Sequence, residues 1–232
     1  MLDPSGKAIG VIGINADETE RQRTEQQRAL LLDELNHRVK NTLATIQSIA
    51  NHTARTAPDM DTFVETILAR IGAIGRAHGV LVGKPETDPT LIDLIDLIGS
   101  QVGPYVTAGS DGTPGQLQLS GQSVRLDTTT GHALALVLHE LTTNAAKYGA
   151  FSREGGQIHL EWRVEVVDAV HWLVIHWHET GSPPVEAPAH QGFGTTLIEK
   201  SLSYGLGGKA EVVYDPGGLD AQFRVKLKDL AP

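Results

Sequence analysis

The stretch "LALVLHELTTNAAKYG", residues 134–149, decides the fold. Leu134, Leu138, Leu141 and Ala145 recur at helical spacing on one side, while Glu140, Asn144 and Lys147 follow at i, i+4 and i+7 on the other. The pattern predicts a helix over 131–148 that packs one face firmly and presents a polar face. An asparagine amide oxygen near a carboxylate suits Mg²⁺, which takes few protein ligands and keeps water and phosphate oxygens. Lys147 is placed to meet a phosphate as a point charge. The plain alternative is a solvated Glu/Lys face. Asn144 and the mid-helix pair Thr142 and Thr143 are poor helix formers, which favours a function.

Downstream, "QIHLEWRVEV" (157–166) alternates cleanly. Ile158, Leu160, Trp162, Val164 and Val166 fall on one face, and His159, Glu161, Arg163 and Glu165 on the other. "HWLVIHW" (171–177) is apolar on both faces and reads as a central strand. "GTTLIEKSLSYGL" (194–206) reads as a helix, and "AEVVYD" and "AQFRVKL" as a closing hairpin. Upstream lie a short helix over 90–103 and two strand segments, "QLQLS" and "SVRLD". The result is an α/β sandwich with helices on one face of a mixed sheet, preceded by helices, an α+β chain. Lys84–Pro89, "KPETDP", marks the boundary between the two parts.

Ahead of that linker, Asp17 is placed to cap a helix that runs over 18–54 without glycine or proline until Pro58. Leu32, Val39 and Ile46 recur every seven residues, with Leu35 and Ile49 between them and Leu43 and Ala50 widening the stripe. A second helix is expected over 61–78, with Phe63, Ile67, Leu68, Ile71 and Ile74 on one side. The hairpin's wide apolar faces need a partner, a second copy or another domain. With Leu32 at heptad position a, His37 falls at f, away from the seam. A lone helical histidine is usually a surface or satisfied core residue. An exposed neutral imidazole is also a nucleophile fit for phosphoryl transfer, with Arg38 and Lys40 near to attract phosphate and Asn41 one turn on.

The formal net charge of -9 argues against nucleic-acid binding. The absence of cysteine excludes disulfides and thiolate chemistry. No apolar run reaches the ~18 residues of a membrane span, and the first residues lack signal-peptide character, so a cytoplasmic chain is expected. Glu179, at a strand end in "HWHETGSPP", is placed to accept a hydrogen bond from an exocyclic amine such as adenine's, or to serve as a turn carboxylate. Gly192 and Gly194 precede the helical residues Thr195 to Lys200, where backbone N–H groups can hold phosphate. His176-x-His178 has metal-ligand spacing on a strand, but the sequence offers it no further ligand at suitable spacing, which speaks against zinc there.

With "ELNHRVKNTLATIQSIA", "LHELTTNAAKYGA", "WHETGSPPV" and "GFGTTLIE" in that order, the chain from about residue 28 resembles the HWE family of bacterial sensor histidine kinases. The family's His and Trp-x-Glu match His139, Trp177 and Glu179. The resemblance implies a remnant of a PAS-type sensor exit strand over 1–17, a helical dimerisation and phosphotransfer domain over 18–83, and a Bergerat-type ATP-binding domain, as in GHKL ATPases, over 84–232. It implies His37 as phosphoacceptor, Glu140 as base or supporting carboxylate, and Asn144 as Mg²⁺ ligand. ATP would be held by His139, Asn144, Lys147, Glu179, Gly181, Gly192, Phe193, Gly194 and Thr195. Two departures are Ser182 where the family often has a second glycine, and Arg38 after the histidine where the commonest histidine kinases have an acid.

The expected partners are a response-regulator receiver domain, an upstream sensor domain, and a second copy through helices 18–54 and 61–78, with a monomer as the alternative. Neither nucleic acid nor membrane is expected. Rival functions are a non-catalytic signalling scaffold of the same fold and a GHKL-type ATPase or serine kinase.

Overall fold

The computed structural model describes residues 4–6, 19–82, 91–106, 116–183, 207–215 and 217–227; side chains in parts of the first helix lie outside that description. Most of the sensor exit strand expected over 1–17, Asp17 included, the Lys84–Pro89 linker and the helix expected over 194–206 also lie outside it. By packing, the chain divides into Met1–Ser48 and Ile49–Pro232.

Helix α1 spans Thr19–Thr56 and helix α2 Met60–Val82. Pro58 stands between them, and Asp59 opens α2 by accepting from the Thr62 amide at 2.7 Å. The side of α2 that packs inward is not quite the one expected. Arg70 is 3% exposed and sits in line with half-buried Phe63 and Ile67 and buried Ile74 and Ala77, whereas Leu68 is 62% exposed and Ile71 is exposed. At about 100° per residue, Arg70 falls between Ile67 and Ile74, while Leu68 is turned roughly 100° from Ile67.

Strand β1 (Leu91–Asp93) leads straight into α3 (Leu94–Val102), and β3 (Arg125–Asp127) into α4 (Thr128–Lys147). The two strands pair antiparallel as a ribbon of their own, Ile92 opposite Leu126. Each ends in an aspartate that caps the helix it starts: Asp93 accepts from the Ile95 amide, and Asp127 from the amides of Thr129 and Thr130. The expected helix over 90–103 therefore begins at Leu94, and "SVRLD" belongs to this ribbon rather than to the main sheet.

The main sheet has the order β2-β4-β5-β7-β6, from β2 (Leu117–Gly121), β4 (Gln157–Val167), β5 (Val170–Thr180), β6 (Lys209–Asp215) and β7 (Gly218–Lys226). Among the described strands only β2 against β4 is parallel, so the sheet is mixed, and β5 lies between β4 and β7. Leu134, Leu138 and Leu141 of α4 and Leu97 and Ile98 of α3 share one core with Ile158, Leu160, Trp162, Leu173, Ile175, Trp177 and Phe223 of the sheet. The alternation of β4 holds to Trp162. Val164 is half-buried and Val166 is 62% exposed, approaching the Asp168-Ala169 turn that closes the β4–β5 hairpin with both residues at positive φ. Among the described residues no helix is long and apolar enough to cross a membrane.

Candidate nucleotide and phosphotransfer site

The end of α4 and the end of β5 meet at Glu179. This carboxylate is 2% exposed and accepts three hydrogen bonds. The Trp177 indole N–H donates to Oε1 at 3.0 Å, and the Ala150 amide and the Ser182 hydroxyl donate to Oε2 at 2.8 and 3.1 Å. Trp177 can do so because residues two apart on a strand share a face. The backbone closes round the group so tightly that a Cβ at Gly149 would strike the Glu179 side chain, and one at Gly218 its carbonyl. Gly181 follows in the left-handed region at φ 69°, against Gly155 and Gly156, where a side chain has neither a favourable conformation nor room.

One turn before this junction, Asn144 closes α4 with its backbone carbonyl, which accepts from the amides of Tyr148 and Gly149. Its own side chain and that of Lys147 are exposed. Thr142 and Thr143 have a structural explanation: their hydroxyls donate back to the carbonyls of Leu138 and His139 at 2.6 and 2.9 Å.

Glu140 is not on an open polar face. It is 8% exposed and bound side-on by Arg70 of α2, Nε to Oε1 at 2.8 Å and Nη2 to Oε2 at 3.2 Å. The remaining guanidinium nitrogen donates to Thr53 Oγ1 at 2.8 Å, whose hydroxyl in turn donates to the Ile49 carbonyl. Six residues further along α2, Arg76 donates to Gln101 of α3 at 3.0 Å, and buried Gln101 donates to the Ala73 carbonyl. Sequence reasoning missed Arg70, Thr53 and Arg76. The signal was available for Arg70, a charge placed at i+3 from Ile67 and i−4 from Ile74 within an apolar stripe.

His37 lies within α1, with its side chain outside the described residues. Gly192, Phe193, Gly194 and Thr195 also lie outside them. The structure thus joins Glu179 to the end of the helix that bears Asn144 and Lys147, and sets Glu140 and His139 under α2.

Residues 34–123 match the family model described as HWE histidine kinase. The blue-light-activated histidine kinase of Brucella anthropi is 35% identical over 215 residues, covering 92% of this chain and 42% of the relative. That of Brucella ovis is 32% identical over 209 residues, covering 90% and 41%. The chain is related to the HWE histidine kinases, whose family model covers residues 34–123. It spans less than half the length of these curated relatives. The fold is shared with the histidine kinase domain of the Erythrobacter litoralis EL346 blue-light activated histidine kinase, with TM-score 0.51 and 20% identity over 84% of this chain and 93% of that one. A longer structure of the same kinase gives TM-score 0.53 at 19% identity, over 93% of this chain and 62% of that one.

The three residues that name the HWE family do distinct physical work. Trp177 and Glu179 form the buried hydrogen bond described above. His139 is buried beneath α2, with Arg76 Nη2 lying 3.4 Å from its Nδ1. Burial pushes its pKa down. The Glu140 charge opposes that shift, and the Arg76, Arg70 and Lys147 charges reinforce it. A neutral ring with a lone pair at Nδ1 can accept from Arg76. Buried His132 is shifted down as well, by desolvation and then by His78.

Two outcomes are expected. Arg70→Ala leaves Glu140 buried without its partner and should lower unfolding free energy by about 3–5 kcal/mol, read from the urea midpoint. As pH falls below about 6.5, the unfolded chain takes up protons that neutral, buried His139 and His132 resist. Their contribution is therefore whole above that value and is lost as pH drops towards their lowered folded values. The slope is at most about 1.4 kcal/mol per pH unit for each. Urea titrations at pH 7.5 and 5.5 should show this loss, and His139→Gln should show less of it.

Proposed function

We propose that the chain is the core of an ATP-dependent protein histidine kinase that phosphorylates His37 and passes the phosphoryl group to an aspartate of a response-regulator receiver domain in two-component signalling. The observation that carries this reading is the buried Glu179 carboxylate, fixed at a strand end against the end of the helix that bears exposed Asn144 and Lys147. Three donors occupy Glu179, and a carboxylate offers about four lone-pair sites. One is left for the exocyclic amine of adenine.

The donor set at the end of α4 fits Mg²⁺. The exposed Asn144 amide oxygen is a hard ligand suited to an ion that keeps most of its water. Bound with ATP, the ion neutralises charge on the phosphate oxygens. Lys147 adds a positive charge beside it, and Gly192, Phe193, Gly194 and Thr195 supply backbone N–H groups for the phosphates. A lone pair of the His37 imidazole attacks the γ-phosphorus, the bond to the bridging oxygen breaks, and ADP leaves. The phosphorylated ring then loses its extra proton. Glu140 can take that proton only in a conformation in which Arg70 has released it; in the paired state it acts as a positioning group.

We assign residues 1–17 to the exit of a sensor domain, 18–83 to dimerisation and phosphotransfer, and 84–232 to ATP binding, in a cytoplasmic protein. A second copy of the chain is the proposed cover for two apolar stripes. Leu32, Val39 and Leu43 are exposed on α1, and Met60, Val64, Leu68 and Ile71 on α2.

Incubation with [γ-³²P]ATP should give acid-labile, alkali-stable labelling that His37→Gln abolishes. Persistent labelling of that variant would remove His37 from the mechanism. Asn144→Ala should weaken Mg·ATP binding at least about tenfold, roughly 1.4 kcal/mol, by calorimetry; unchanged affinity would exclude the metal role.

A further inference from the structure

The face of the main sheet opposite the helices carries its own cluster. His176 and His178, two residues apart on β5, project to the same side, and His178 lies directly opposite Asp220 on β7. His176 Nε2 is 2.9 Å from each Asp220 oxygen, and His178 Nδ1 is 2.9 Å from Oδ2. The three ligand atoms lie within 4.8 Å of one another. All three residues are half-buried and reachable from solvent.

We propose that His176, His178 and Asp220 bind one divalent transition-metal ion of the zinc class on the outer face of this sheet. In a tetrahedral zinc site with bonds of about 2.0–2.1 Å, neighbouring ligand atoms stand roughly 3.3 Å apart. The spacing here reaches that geometry with small side-chain rotations. Two imidazoles and one carboxylate select a borderline ion such as Zn²⁺ over Mg²⁺ or Ca²⁺, which take oxygen ligands. Without metal, each neutral ring can donate an N–H to Asp220; a shift of that proton to the ring's other nitrogen frees the lone pair for the ion. His159, opposite His178 on β4 with ring centroids 6.4 Å apart, is placed to supply the fourth ligand, and water fills that position otherwise.

The scaffold is the sheet itself, whose register fixes all the ligand positions before any ion arrives. The sequence offered only His176-x-His178; Asp220 lies 42 residues beyond His178 and joins the pair through strand pairing alone. An ion there would clamp β5 to β7 one residue from Glu179, which occupies the opposite face of the same strand. The site does not depend on the kinase reading, and its test needs no nucleotide.

The test uses the full chain, free of any tag and stripped with chelator, titrated with Zn²⁺ by calorimetry and with Co²⁺ by visible absorption. Wild type should bind one ion per chain and show tetrahedral Co²⁺ bands. His176→Gln and Asp220→Asn should each lower affinity more than about tenfold, since loss of even an outer-shell partner costs about 10- to 100-fold. His78→Gln, outside the cluster, should bind as wild type does, and far-UV circular dichroism should show all variants folded. No saturable binding by wild type, or undiminished binding by folded His176→Gln and Asp220→Asn, overturns the proposal.

Discussion

The acid at the end of β5 governs how this domain closes. An ionised carboxylate taken out of water without partners is too costly for a domain whose whole stability is about 5–15 kcal/mol. Glu179 is tolerable only because an indole, a backbone amide and a hydroxyl converge on it. Those donors come from its own strand, from the chain just after α4, and from the turn after β5. Satisfying one group therefore fixes the helix end, the strand end and the turn together, and glycines at 149 and 218 are what let the backbone come so close.

A second buried pair sets how α2 joins this arrangement. Arg70 and Glu140 lock α2 to α4, and Thr53 extends the lock to the end of α1. Buried ion pairs give little net stability but penalise every arrangement that separates them. Both oxygens of Glu140 are engaged by Arg70, so the contact that defines the packing also occupies the carboxylate.

Much of this was legible along the chain because periodicity reports local faces. The strand alternation in 157–162, the central character of 171–177 and the mixed sheet all follow from which residues must be buried. The helical stripe of α4 was equally plain. What periodicity could not reveal was what covers the opposite face, so Glu140 read as part of an open polar face, whereas Arg70 lies over it. The three-residue strand β1 was absorbed into a helix because only its pairing with β3 distinguishes it from a first helical turn. His176 and His178 read as an incomplete pair because the third member of their cluster is distant in sequence.

The ribbon of β1 and β3 has an effect that its small size conceals. Asp93 and Asp127 are each both the last residue of a strand and the cap of a helix, and the strands that carry them are paired residue by residue. The ribbon therefore works as a mechanical jig that sets the starting points of two helices against each other. Lengthening either strand by one residue would displace one helix start relative to the other and rotate its apolar stripe by about 100°. Six residues of sheet thus index the rotational phase of α3 and α4 against each other.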